Sequence, residues 1–223
     1  MTVTARVALL AIAQSALWVV GARAQSAGDD LPPGFRSLAG VTLNRDSAAT
    51  IRAKLGTARE RRSGAGRDAL TDWCYVPADG PDRTVLDLMS DASDMGTPGQ
   101  ALNVFRLRAD APAEERRGCA PLPASAQLST PAGLRLGLRS SEVQELLGAP
   151  TRQTADSLSY SFEAKEFLRP DSPEYQMWNT LENRESCFDA GPPYANIEAA
   201  VIVLIRDGRA VEIRVERYDR SVC

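Results

Sequence analysis

"AAVIVLIRDGRAVEIRVERY", residues 199–218, sets two apolar-rich runs on either side of Asp207-Gly208. Both residues of an Asp-Gly pair tolerate positive φ, so the pair predicts a two-residue hairpin turn. Pairing outward from that turn places Arg206 against Arg209, Leu204 against Val211, Ile202 against Ile213 and Ala200 against Val215. The last three pairs make an apolar face, expected to be the core side. The other face then shows Val201, Val203 and Ile205 with Ala210, Glu212 and Arg214 across the turn. An apolar stripe edged by charge is the pattern of a partner-binding surface. The competing expectation is that the stripe is covered from within. The segment 167–194 offers a cover, a short helix capped by Ser172, opened by Pro173 and lined by Met177, Trp178 and Leu181.

Upstream, "LGLRSSEVQELLGAP", residues 136–150, predicts a short helix. Val143, Leu146 and Leu147 share one helical face. Ser140 is the expected N-cap, Gly148 the stop, and Pro150 forbids continuation. "SLSYSF", residues 157–162, alternates Leu158, Tyr160 and Phe162 on one face of a strand. The first half repeats this plan. "DSAATIRAKLGTA", residues 46–58, holds Ile51 and Leu55 on one helical face, with Asp46 or Ser47 as cap and Gly56 as stop. Ile51, Leu55 and Gly56 overlay Val143, Leu147 and Gly148 at a constant shift, and the residues before the helix are out by about one. Three strands are expected to follow, over 70–76, 83–90 and 100–108, with Trp73 and Tyr75 on a core face. The fold class is therefore α+β, two tandem modules, each a short helix or helix pair packed on a small antiparallel sheet. Residues 38–119 make the first module, 120–133 a linker, and 134–223 the second, with an insertion at 164–196.

Residues 1–24 read as an export signal: Arg6, then the apolar run "VALLAIAQSALWVV", then small residues at Ala22 and Ala24. The run is short for a membrane span, and residues 25–37 have the Gly, Pro and Asp content of a flexible lead-in. Without residues 1–24 the chain has 24 basic against 29 acidic residues, a charge of −5. A mildly acidic chain of mixed sign argues against nucleic acid as a partner, and the expected location is periplasmic or secreted. Cys74, Cys119, Cys187 and Cys223 make an even count in an exported chain, the signature of two disulfides. Three connectivities are open. The layout favours Cys74–Cys119 and Cys187–Cys223, because Cys119 and Cys223 each follow the last strand of their own half. No two cysteines have zinc-ligand spacing, and the chain has 0 histidines.

The stretch "LRLGLRSSEVQELLGAPTRQTADSLSYSF" resembles the signature of the SmpA/OmlA (BamE-like) type of small outer-membrane assembly lipoproteins. Gly137, Leu138, Val143, Leu147, Gly148 and Pro150 stand at matching positions, and Asp207-Gly208 matches the hairpin turn. Arg139 stands where that family has a capping Thr or Ser. The tandem arrangement resembles the secreted β-lactamase inhibitor proteins, whose BLIP-like fold pairs two such modules. The resemblance implies a fold used for binding other proteins.

The function expected from these readings is a non-enzymatic protein-binding module acting in envelope assembly or maintenance. Its partner would be another envelope or secreted protein, met through Val201, Val203, Ile205, Glu212 and Arg214. No catalytic residue is expected, since the usual histidine-based general bases and triads are missing from the sequence; no metal or cofactor is expected, and no membrane anchor, since no cysteine stands at the cleavage point and no later stretch is apolar enough to span. Ser140 and Ser141 read as caps. The alternatives are an inhibitor of a secreted hydrolase and a small-molecule or lipid-binding module with a pocket under 164–196.

Overall fold

A computed structural model describes residues 30–64, 69–77, 83–91, 101–171, 175–176 and 194–222. The elements along the chain are a 3-10 turn Pro33–Phe35, β1 Ser37–Leu38, β2 Val41–Thr42, α1 Ala48–Leu55, β3 Glu60–Ser63, β4 Leu70–Pro77, β5 Val85–Asp91 and β6 Val104–Arg108. There follow α2 Ala113–Arg116, β7 Ala120–Leu122, α3 Ser140–Leu147, β8 Arg152–Gln153, β9 Ser157–Phe167, β10 Tyr194–Arg206 and β11 Arg209–Val222. The fold is mixed helix and sheet, with mostly antiparallel strands. Among the described residues no helix is long and apolar enough to cross a membrane.

The two halves do not form two sheets. One sheet runs β3-β4-β5-β6-β11-β10-β9-β8, with β7 pairing parallel to β4. Each half contributes an antiparallel meander of four strands, and the meanders join at their last strands, β6 and β11. Arg106 lies opposite Arg214 at the centre of that seam.

The sequence repeat is a structural one. Both α1 and α3 have 8 residues, and each ends on a glycine at positive φ, Gly56 at 88° and Gly148 at 80°. Their ψ values of 174° and −159° put them outside the left-handed helical region expected of such stops. They occupy a region open essentially to glycine alone. The residue before each helix bridges to its half's fourth strand or just ahead of it, Ser47 to Ala101 three residues before β6 and Arg139 to Arg209 at the start of β11. Leu102 N–H donates to Asp46 C=O at 2.9 Å, and Ala210 N–H donates to Leu138 C=O at 2.8 Å. The caps differ. Ser47 Oγ accepts from Thr50 N–H, as expected. The α3 cap is Arg139 rather than Ser140, and the Glu142 carboxylate accepts from the Arg139 backbone N–H at 2.6 Å. That bond is the carboxylate half of a capping box; the Arg139 side chain has no acceptor with which to supply the hydroxyl half.

Both helices pack on the same face of the sheet. Ile51, Leu55, Val143 and Leu147 bury there against Trp73, Tyr75, Leu88, Phe105, Leu107, Val201, Ile213 and Val215 in one continuous core. The expected lead-in and linker contribute to it. Leu31 and Phe35 are buried, as are Leu122, Thr130 and Leu134. Ala39 N–H donates to Gln127 C=O and Ala132 N–H to Gly34 C=O, so these two segments hydrogen-bond each other. At one end of the core, buried Arg217 is held by Asp30 at 3.1 and 3.2 Å and by Asp219 at 2.8 Å. Burial disfavours its charge, and the two carboxylates more than offset that. β7 falls within the expected linker, and β3 is a strand additional to the three expected in the first half.

The Asp207-Gly208 turn forms as expected, with φ of 52° and 72°, the positive pair that matches strand twist. Arg206 faces Arg209, but the register then shifts between Leu204 and Ile205. Val211 becomes a bulge residue, its carbonyl accepting from Ala109 N–H beyond the end of β6. Past the bulge Val203 faces Ile213 and Val201 faces Val215, not Ile202 and Ala200. The faces of β10 are thereby exchanged. Val201 and Val203 are each 0% exposed, and Ile205 packs against the core. The expected binding stripe is the core side.

Cys74 and Cys119 are disulfide-bonded, with Cα atoms 4.8 Å apart and a sequence separation of 45. Closing a loop of that length stabilises by about 4 kcal/mol. Cys187 and Cys223 lie outside the described residues, as do residues 1–29. So does most of the expected 172–181 helix. The flanks of the expected insertion extend the ladder, with Ala164 facing Ile197 and Phe167 facing Tyr194.

Two outcomes follow. Val203→Asp puts a carboxylate into the core and lowers stability by more than about 3 kcal/mol, whereas Ile202→Asp on the other face costs less than about 1 kcal/mol. Urea denaturation of the two variants checks the register. Tyr160 is 1% exposed and its hydroxyl has no hydrogen-bond partner among the described residues; burial pushes its pKa from 10.0 to about 12. A group whose folded pKa is raised stabilises fully below its unfolded value. Stability therefore falls between about pH 10 and 12, by roughly 3 kcal/mol in total. Tyr160→Phe removes that fall without loss of stability at neutral pH, as denaturation at graded alkaline pH would show.

Candidate functional site

The face of the sheet away from α1 and α3 carries the side chains that remain. Alternation along each strand decides which they are. β5 contributes Asp87 and Met89, β6 Arg106 and Arg108, β11 Glu212, Arg214, Glu216 and Tyr218, and β10 Glu198, Ala200, Ile202 and Leu204. β9 adds Ser159, Ser161, Glu163 and Lys165. Over the Cys74 end of this face lies a small second cluster, where Val85 and Ala111 pack on the disulfide with Val76. Among the described residues no helix covers the stretch over β9, β10 and β11.

Two zones result. The first is a lattice of arginines and carboxylates over β3 to β6 and β11. Asp87, with its side chain 8% exposed, meets Arg108 at 2.9 Å and Arg61 and Arg106 at 3.7 Å. Arg61 also holds Asp72 at 2.6 Å. Arg106 reaches Glu212 at 3.5 Å, and Arg214 reaches Glu216 at 2.8 Å. Like charges directly opposite one another repel, so the Arg106–Arg214 pair at the seam depends on Asp87, Glu212 and Glu216 to neutralise it. At the margin, the hydrogen bond from Arg108 holds the Glu115 carboxyl below the usual carboxylate range.

The second zone is a hollow of about 350 Å³ over β9 to β11, edged by Ser161, Glu163, Glu198, Ala200, Glu216 and Tyr218. Glu163 lies directly across from Glu198, and Glu198 across from Tyr218. Burial, then the Glu216 carboxylate, pushes the Tyr218 hydroxyl up, so it is a neutral donor at any physiological pH. Beside the hollow, Ala200, Ile202 and Leu204 form an apolar row along β10, with Leu204 38% exposed. The hollow therefore offers carboxylates at one end and hydrocarbon at the other.

Of the residues expected to bind a partner, Glu212 and Arg214 stand on this face and Val201, Val203 and Ile205 stand behind it. The sheet separates the two groups. The row that replaces the stripe, Ala200–Ile202–Leu204, is the one read from sequence as core. The alternation of β9 held the missing signal. Leu158, Tyr160 and Phe162 pair with Val203, Val201 and Ala199, so odd-numbered residues of β10 must follow them inward.

No protein-family model, curated protein or solved structure matches the chain.

Asp87→Asn takes the shared carboxylate from among three guanidinium groups and costs about 3 kcal/mol of stability. Glu115→Gln, on the exposed side of Arg108, leaves the melting temperature nearly unchanged. Thermal melts of both variants in low and high salt check the contrast.

Proposed function

We propose that this chain is an exported, non-enzymatic protein-binding module whose contact surface is the open sheet face over β9, β10 and β11. The observation that carries the proposal is the apolar row Ala200–Ile202–Leu204, half-buried at its first two residues and exposed at Leu204, beside the acidic hollow, on a sheet whose other face is already filled by both helices. Apolar area next to fixed charge supplies affinity and selectivity together. The partner that fits is a protein segment presenting an apolar side chain to Ile202 and Leu204 and a lysine or arginine to Glu163, Glu198 and Glu216.

The leader-like residues 1–24 and the Cys74–Cys119 cystine support an oxidising, exported setting. The doubled plan of helix and meander supports the likeness to tandem β-lactamase-inhibitor-type modules and, through it, a role in the envelope. A secreted hydrolase is one class of partner that this surface would suit.

Cross-linking in the native host, followed by mass spectrometry, identifies the partner, and a panel of purified secreted hydrolases tests the inhibitor case directly. The double variant Ile202→Asp/Leu204→Asp keeps its circular dichroism spectrum and weakens capture at least ~10-fold, a loss of about 1.4 kcal/mol. Undiminished capture of the same partner by this folded variant would remove the surface from consideration.

A further inference from the structure

The outer edge of β9 has a direction that can be read from its neighbours. Thr154 N–H donates to Ser157 C=O at 2.9 Å, and Ser161 N–H donates to Thr151 Oγ1 at 3.0 Å. Both bonds point away from β10. Backbone groups alternate sides along a strand, so the N–H and C=O of Glu163, Lys165 and Phe167 also point away from β10. Among the described residues β8 is the only strand on that edge, and it reaches no further than Leu158 and Ser159. Ser161, Glu163, Lys165, Glu166 and Phe167 are exposed, Phe167 at 64%.

We infer that β9 pairs antiparallel with β9 of a second copy of this chain, about a two-fold axis at Ala164. The partner is argued from charge. In that register Glu163 lies opposite Lys165 of the second copy and Lys165 opposite its Glu163. Both are hydrogen-bonded pairs, because all four residues direct their backbone groups outward. Other two-fold registers fail. An axis at Glu163 sets Glu163 against itself, one at Lys165 sets Lys165 against itself, one at Glu166 sets Glu166 against itself, and one at Phe167 sets Lys165 against Arg169. An axis at Phe162 brings Lys165 against Ser159, where β8 already sits. Charged side chains on an edge strand normally discourage pairing. Here their alternation along one strand selects a single self-complementary register. The pairing extends the sheet sideways and leaves Ala200, Ile202 and Leu204 uncovered; it shares only Glu163 with the hollow, and none of its argument rests on the function proposed above.

Sedimentation velocity on the mature chain, over roughly 5–500 µM, is expected to show a reversible dimer of modest affinity, since a short ladder buries less area than a stable interface needs. Lys165→Glu and Glu163→Lys each weaken it at least ~10-fold, about 1.4 kcal/mol. The double swap Glu163→Lys/Lys165→Glu restores it. Lys165 also lies over the Tyr194 ring at 4.6 Å. Both Lys165→Glu and the double swap take the cation away from that ring, so rescue separates the register from this local effect. In a second measurement, Ala164→Cys forms a cystine with its own copy under air, because a non-hydrogen-bonded antiparallel pair brings Cα atoms to ~4.5 Å, within disulfide reach. A wild-type chain that stays monomeric throughout, folded single variants that dimerise like wild type, or a folded double swap that fails to recover would each overturn the inference.

Discussion

The pairing of β6 with β11 holds the molecule together. Neither meander is large, and each has only one short helix to cover its inner face. Joined edge to edge, from Arg108 opposite Glu212 to Val104 opposite Glu216, they present one broad face to both helices and to the segments before them. Phe105 and Leu107 from one half then share a core with Ile213 and Val215 from the other. The arginines at the middle of the seam add a condition. Arg106 and Arg214 can sit opposite each other only because carboxylates from β5 and β11 flank them. The chemistry of the outer face is thus tied to the geometry of the join.

The bulge at Val211 then decides which residues lie inside. From Ala199 to Ile205 both faces of β10 are apolar, so that stretch alone does not prefer one. β11 prefers Ile213 and Val215 inward, because the alternatives are Glu212, Arg214 and Glu216. β9 prefers Leu158, Tyr160 and Phe162 inward. A plain two-residue hairpin satisfies β11 but would bring the wrong face of β10 against β9. One extra residue in β11 satisfies all three strands at once, and the Ala109–Val211 hydrogen bond gives the bulged carbonyl a partner. The charged and apolar residues of the outer face owe their positions to that single insertion.

Much of this was legible in the sequence. The two helices, their glycine stops, the Asp-Gly turn and the Cys74–Cys119 bond each depend on local chemistry or on the order of elements, and local signals report them well. The constant offset between Ile51–Leu55–Gly56 and Val143–Leu147–Gly148 gave away the repeat. What the sequence did not disclose depends on distant partners. Sharing of one sheet requires β6 to find β11, and no short pattern marks that. The bulge is visible only when β9, β10 and β11 are aligned together, and the connection between β9 and β10 is too long for its length to fix their register. Leu31, Phe35 and Leu134 lie in proline- and glycine-rich stretches, where composition suggests solvent but single apolar side chains plug the core. The outer face of β10 escapes a reading of the sequence for the same reason as the bulge. Glu212 and Arg214 were placed rightly from their own strand, and the valines wrongly from their neighbour's.

The strand order also has a consequence in time. β6 meets β11 across roughly a hundred residues of chain, a separation that slows folding. A ribosome delivers the amino-terminal meander first, with β6 as an open rim. Only the last strand to emerge closes that rim. An intermediate with such a rim is prone to associate with its like, so the interval before the carboxyl-terminal hairpin arrives is when this protein most needs a chaperone, and truncation within β11 would leave the rim open for good.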